Sequence, residues 1–186
     1  MANFSYTETF SVVATNGTPI ANTVAETIIF PDLVLPARNW KASYTLHMTA
    51  KGQYSTTGIP TLLFTLRLGG VSGTVLCKSA AIVTASGVTA ALWSVDIELT
   101  VQTYSATGTI MANGWATVGA GVAPTVSSAT GAPAVSAMTN GGVVTPALAT
   151  GLNLLTDQSL SLTATWGTAS ASNTLTGLQQ NTRGLN

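Results

Sequence analysis

The sequence predicts an all-β protein, a two-sheet antiparallel β-sandwich of the jelly-roll kind that carries a long uncharged loop. Two observations lead there. Apolar and polar residues alternate with a period of two through several stretches, which is the signal of a strand with one buried face. Thr, Ser, Val and Gly dominate the rest, with Gly and Pro as punctuation, and almost nothing reads at helical spacing. Seven to nine strands, each with one apolar face, bury those faces by stacking as two sheets.

In chain order, TETFSVVA (7–14) and TIIFPDLVL (27–35) are irregular strands, and Pro31 and Pro36 confine the second to an edge or an end. SYTLHMTAKG (43–52) sets Tyr44, Leu46, Met48 and Ala50 against Ser43, Thr45, His47, Thr49 and Lys51. In TLLFTLRLGG (61–70), Leu62, Phe64, Leu66 and Leu68 face inward, Thr65 and Arg67 face out, and Gly69 and Gly70 turn the chain. Gly73 then opens the short partner TVLCKSA (74–80). The clearest strand is WSVDIELTV (93–101), with Trp93, Val95, Ile97, Leu99 and Val101 on one face and Ser94, Asp96, Glu98 and Thr100 on the other.

TGTIMANGWATV (107–118) is weaker because small residues dilute its pattern, and GGVVTPAL (141–148) is limited by Pro146. SLSLTATWG (159–167) places Leu160, Leu162, Ala164 and Trp166 opposite Ser159, Ser161, Thr163 and Thr165. The expected core anchors are Phe64, Leu66, Trp93, Val95, Ile97, Leu99, Leu160, Leu162 and Trp166. A single domain over 1–186 is expected, with an N-terminal arm over 1–23 and a long loop over 119–140. A chain of this length buries an adequate core without metal or disulfide.

Charge is scarce. Six basic and six acidic side chains make 6% of the chain, against about 25% in ordinary soluble domains. The 58 residues between Glu98 and Asp157 carry none. Thr, Ser, Asn and Gly nevertheless interrupt every apolar stretch, so no helix of this sequence spans a bilayer. The start MANFSYTETFSVVATNG lacks the basic and apolar regions of a secretory signal, so folding in the cytoplasm where the chain is made is expected. Lone Cys77 closes no intrachain disulfide and reads as a buried small hydrophobe. Scattered cations matched by acids point away from nucleic acid and from membrane surfaces. The 119–140 stretch keeps Val118, Val122, Val126, Val135 and Met138 in and beside it, as if written to be covered, either by its own sandwich or by a neighbouring subunit.

Catalytic material is thin. His47 falls on a polar strand face, where a surface or interface role fits better than that of a general base. Asp96 and Glu98 lie about 6.6 to 7 Å apart on one face, within the spacing of an inverting glycosidase pair. A solvated face with cross-strand bases such as Arg67 or Lys51 explains them more simply. One Cys and one His build no zinc site, there is no calcium loop, and no phosphate-binding loop is present. No catalytic, cofactor-binding or metal residue is therefore expected. Trp40, Tyr54, Tyr104 and Trp115 stay outside the firm core faces, so they either pack at loop ends and subunit contacts or stack on sugars.

One stretch resembles a known family. From Tyr54 to Val118 the chain shows in order YSTTGIP, TLRLGG, TASGVT, WSVDIELTV and GTIMANG. This third of the sequence resembles a β-sandwich module of tailed-bacteriophage structural proteins. The resemblance implies a non-enzymatic virion protein, similar to the jelly-roll cement or decoration proteins that sit as homotrimers on the major capsid protein and stabilise the head. The alternative it leaves is a tail or fibre module that binds a host-surface carbohydrate. The region after Val118, including the tail LTGLQQNTRGLN, has no counterpart, so no contact residue carries over.

Overall fold

A computed structural model describes residues 7–119, 134–139 and 148–185. The chain is antiparallel β throughout these residues, and its only helical turn is a 3-10 turn at Ala37–Asn39. The long strands are β5 (Thr45–Thr56), β6 (Thr61–Leu68), β7 (Thr74–Ser79), β9 (Val88–Thr103), β10 (Gly108–Val118), β11 (Ala134–Thr139), β13 (Gln158–Trp166) and β14 (Thr174–Leu185). Shorter pieces complete the set: β1 (Thr7–Val13), β2 (Ile20–Ala21), β3 (Thr27–Ile28), β4 (Leu33–Leu35), β8 (Ile82–Val83) and β12 (Leu148–Leu152).

The long strands pair in nested fashion: β5 with β14, β6 with β13, β7 with β11, and β9 with β10. First meets last and second meets next to last, the pairing of a rolled-up hairpin that underlies jelly rolls. Hydrogen bonding then runs unbroken through β1-β14-β5-β9-β10-β11-β7-β6-β13-β3. The sheet curls so that its two halves face each other, joined along one side by β11.

Trp93 on β9 sits where the halves meet. Its ring lies 5.1 Å from that of Phe64 on β6 and 6.4 Å from that of Phe30, and its Nε1 donates to the Thr176 carbonyl on β14. All nine expected anchors are buried in one connected cluster. The alternation expected for β5 and β9 is the alternation observed, and β6 departs from it at Thr65.

Three features differ from the sequence expectation. Ser161, Thr163 and Thr65, expected on a wet face, are buried because residues 26–32 lie over them. There the Glu26 carboxylate accepts bonds from Arg67 and from the Thr163 hydroxyl, and Asp32 accepts from the Ser161 hydroxyl at 2.6 Å. Within the expected arm over 1–23, β1 pairs along β14 and Ile20 is buried, while residues 1–6 lie outside the described residues. The expected loop over 119–140 ends in β11; its residues 120–133 and 140 lie outside the described residues. The strand expected over 141–148 falls mostly on undescribed residues, and β12 begins at Leu148, where that expectation ends.

The unplaced tail is a central strand. β14 pairs with β5 on one side and β1 on the other. Its inward positions include Gly177, Gln180 and Thr182, which hide the period-two signal. A Cβ at Gly177 would lie 2.6 Å from the Phe30 ring, so packing on that aromatic replaces the side chain itself.

Candidate functional site

The outer face of β14, β5, β9 and β10 collects most of the polar residues singled out in the sequence. Strand register orders them in two rows that cross the strands. One row runs Arg183, His47, Glu98, Asn113, each directly opposite the next. The other runs Asn181, Thr49, Asp96, Trp115, Ala137. Neighbouring strands lie about 4.8 Å apart, and the rows are separated by about 7 Å along each strand.

Trp115 stands out on this face. On β10 the buried positions are Ile110, Ala112, Ala116 and Val118, so Asn113 and Trp115 take the opposite side. Trp115 is 60% exposed, whereas Trp40, Trp93 and Trp166 are each 2% exposed or less. A lone exposed indole among hydrogen-bonding groups is more informative than an exposed aliphatic side chain.

His47 Nε2 and Asp96 Oδ1 meet at 2.9 Å, diagonally across β5 and β9. This tie holds two polar groups upright beside the indole. Glu98 and Asn113, opposite one another, bond to no other side chain among the described residues. Arg183 donates through Nε to Asn181 Oδ1 at 3.1 Å, which leaves its terminal nitrogens facing solvent. Next to the Trp115 row lies a shallow hollow of about 360 Å³ lined by Lys51, Leu92, Trp93, Ser94, Thr117 and Gly119.

Two expectations about charge partners are corrected. Arg67 lies in the other half of the sheet, where Nε and a terminal nitrogen grip the two Glu26 oxygens at 2.6 and 2.7 Å. That grip holds the Glu26 carboxyl below the usual carboxylate range, the Arg67 bonds outweighing the opposing effect of burial. Lys51 sits opposite Ser94, one row away from Asp96. His47, which the sequence placed on the polar face without a partner, is the group that meets Asp96.

Of the four aromatic candidates, Trp40 and Tyr54 are core residues. The Tyr54 hydroxyl donates to the Gly119 carbonyl, and burial raises its pKa. Tyr104 is 39% exposed just beyond β9, and Trp115 alone stands on the sheet face. Cys77 is buried and its thiol is pushed up to about 12 by desolvation, which keeps it out of thiolate chemistry. Among the described residues no group of three His, Cys, Asp or Glu is placed to hold a metal ion, and no helix is long and apolar enough to cross a membrane.

Asn113, Asn181 and Arg183 were not singled out from the sequence, and Thr49 was placed only on the polar face of its own strand. Period two already put Asn113 beside Trp115. The other three become neighbours only through register between strands far apart in sequence, which one chain of letters does not display.

What the face can do follows from its shape. It lies on the outside of the curled sheet with Trp115, Asn113, Asp96 and Glu98 exposed, so it does not shield a reacting bond from water as a catalytic cleft does. It offers instead an aromatic platform, acceptors in Asp96 and Glu98, an amide in Asn113, hydroxyls in Thr49 and Ser94, the remaining ring nitrogen of His47, and donors in Arg183.

No protein-family model matches this chain, and no curated protein matches it. Among solved structures it is similar to the CBM2 module of the evolved Dit of Lactobacillus casei BL23 phage J-1. The identity is 9% and the TM-score 0.34, over 83% of this chain and 68% of that one. The two share too little for the ligand of one to be assigned to the other.

Proposed function

We propose that this protein is a non-catalytic binding module of a bacteriophage virion, and that the outer face of β5, β9 and β10 binds a carbohydrate on the host surface. The observation that carries the reading is Trp115, exposed in the middle of a sheet face and bordered by Asp96, Asn113 and Glu98. A pyranose presents an apolar face of C–H groups edged by hydroxyls. An indole takes the first and a ring of carboxylate and amide acceptors takes the second. The virion setting rests on the family resemblance of residues 54–118.

Tryptophan emission tests this directly, because the other three indoles are buried. A panel of soluble neutral, amino and acidic oligosaccharides is titrated at millimolar concentration. At least one is expected to shift or quench the emission, and Trp115→Ala is expected to abolish that response while leaving the fold intact. A panel that leaves wild-type emission unchanged overturns the reading.

Head cement is the second reading. It is favoured by exposed apolar side chains away from the sheet face: Ile59 and Val83 are 68% and 59% exposed. They lie on segments tied together by the Thr84 N–H and hydroxyl, both bonded to the Pro60 carbonyl. Such a surface is suited to contact with a capsid protein or with further copies in a homotrimer. On this reading, saturating addition raises the disruption temperature of phage heads that lack the protein, and an Ile59→Asp, Val83→Asp double variant fails to do so. An unchanged disruption temperature with the wild-type protein excludes it.

A further inference from the structure

The outer face has a direction as well as an aromatic centre. Resting on the carbohydrate reading above, we infer that its ligand is a linear oligosaccharide of at least three units lying across the strands, with an uncharged unit on Trp115 and the far end at Arg183.

The register carries this. From Trp115 and Asn113 on β10 to Arg183 and Asn181 on β14 the path crosses three strand spacings. At about 4.8 Å each, that is about 14 Å, the length of about three pyranose rings in an extended chain. Polar side chains stand at every step. Glu98 and Asp96 occupy the first strand beyond the indole, His47 and Thr49 the next, and Arg183 and Asn181 the last. Side chains in directly opposed pairs lie within reach of one another, and the His47–Asp96 and Arg183–Asn181 contacts tie one row to the other, so the two rows form one continuous polar band.

Charge is graded along the band. The carboxylates of Asp96 and Glu98 flank Trp115, and the Arg183 guanidinium lies at the opposite end. The His47 to Asp96 contact bridges the middle. A negative group on the unit over Trp115 would face two carboxylates, of which Glu98 has no partner among the described residues. A neutral unit instead gives its hydroxyl protons to those acceptors. Arg183, with no acid opposite it in its row, supplies donors to the last unit.

Chain length and single substitutions separate this from the reading beneath it. Wild-type, Trp115→Ala and Arg183→Ala proteins are titrated by calorimetry with one- to four-unit N-acetylglucosamine, cello- and xylo-oligosaccharides, and with galacturonic acid oligomers of the same lengths. Affinity is expected to rise up to three units. Arg183→Ala is expected to weaken the three-unit neutral ligand about fivefold, one hydrogen bond's worth, with one-unit binding unchanged. Trp115→Ala weakens every length about tenfold or more. The acidic trimer binds about fivefold more weakly than the neutral one, and Glu98→Gln narrows that gap.

Equal affinity for one and three units, or an Arg183→Ala protein that matches wild type at every length, overturns the crossing path and leaves Trp115 as a binding platform. An acidic trimer that binds as well as the neutral one overturns the assignment of charge. A wild-type protein that binds none of these sugars removes the carbohydrate reading along with the path.

Discussion

Trp115 owes its position to two simple rules. Strand alternation turns it away from Ala116 and Val118, and the pairing of β10 with β9 sets it opposite Asp96. Both rules operate at the scale of one residue, and the first is legible in TGTIMANGWATV without any structure. The sequence left Trp40, Tyr54, Tyr104 and Trp115 as equal candidates, because loop-end aromatics look alike in a string of letters. Only packing separated Trp40 and Tyr54, which fill the core, from Trp115. Iodide, a quencher confined to solvent, is expected to quench wild-type emission through Trp115 and to quench Trp115→Phe hardly at all. Equal quenching of the two proteins would show that a second indole reaches water. Cys77 gives a matching check: a thiol reagent is expected to leave it unmodified in the native protein and to label it fully in denaturant.

At the scale of elements, clean alternation located β5, β6, β9 and β13, but it gave both faces correctly only for β5 and β9, since Thr65, Ser161 and Thr163 are covered. β9 and β5 declared themselves; β14 did not, since Gly177, Gln180 and Thr182 point inward. At Gly177 the reason is close approach of the Phe30 ring, and Gly52 on β5 shows the same effect. The Trp93 indole crosses over Gly52 on its way to the Thr176 carbonyl, and a Cβ at Gly52 would come within 2.6 Å of that ring. Gly52→Ala is expected to cost about 3 kcal/mol, the upper range for overpacking, read as a lowered urea midpoint with little change in slope. The strap over β6 and β13 supplies a pH-dependent counterpart. Its Glu26 is about one-fifth exposed and gripped by Arg67 and Thr163.

Because the folded pKa of Glu26 is lowered, its contribution is present above the unfolded value of about 4.3 and is lost as pH falls through the folded value. Glu26→Gln is expected to destabilise by about 2 kcal/mol at pH 7, a partly exposed pair costing less than a fully buried one. At pH 3 wild type and variant should differ less. A gap that stays constant between the two pH values would mean that the Glu26 carboxylate is not what holds the strap.

For the whole molecule, the shortage of charge has a partial explanation in topology. The uncharged run after Glu98 supplies β10, β11 and β12, which bury Ile110, Ala112, Ala116, Val118, Met138, Ala149 and Leu152. These inward positions account for part of the run's lack of charge, while Trp115, Asn113 and Leu148 in the same run are exposed. On the outer face of β14, β5, β9 and β10, polar residues surround a single exposed indole. The central claim is that this face binds a glycan, and its most direct test is a ¹H–¹⁵N spectrum recorded during a glycan titration. Four indole N–H signals are expected, with that of Trp115 identified by its loss in Trp115→Phe. Addition of a binding oligosaccharide should move the Trp115 indole and the amides of Asn113, Asp96 and His47 while the three buried indoles stay in place. Shifts confined to the region of Ile59 and Val83, or spread evenly over the core, would contradict it.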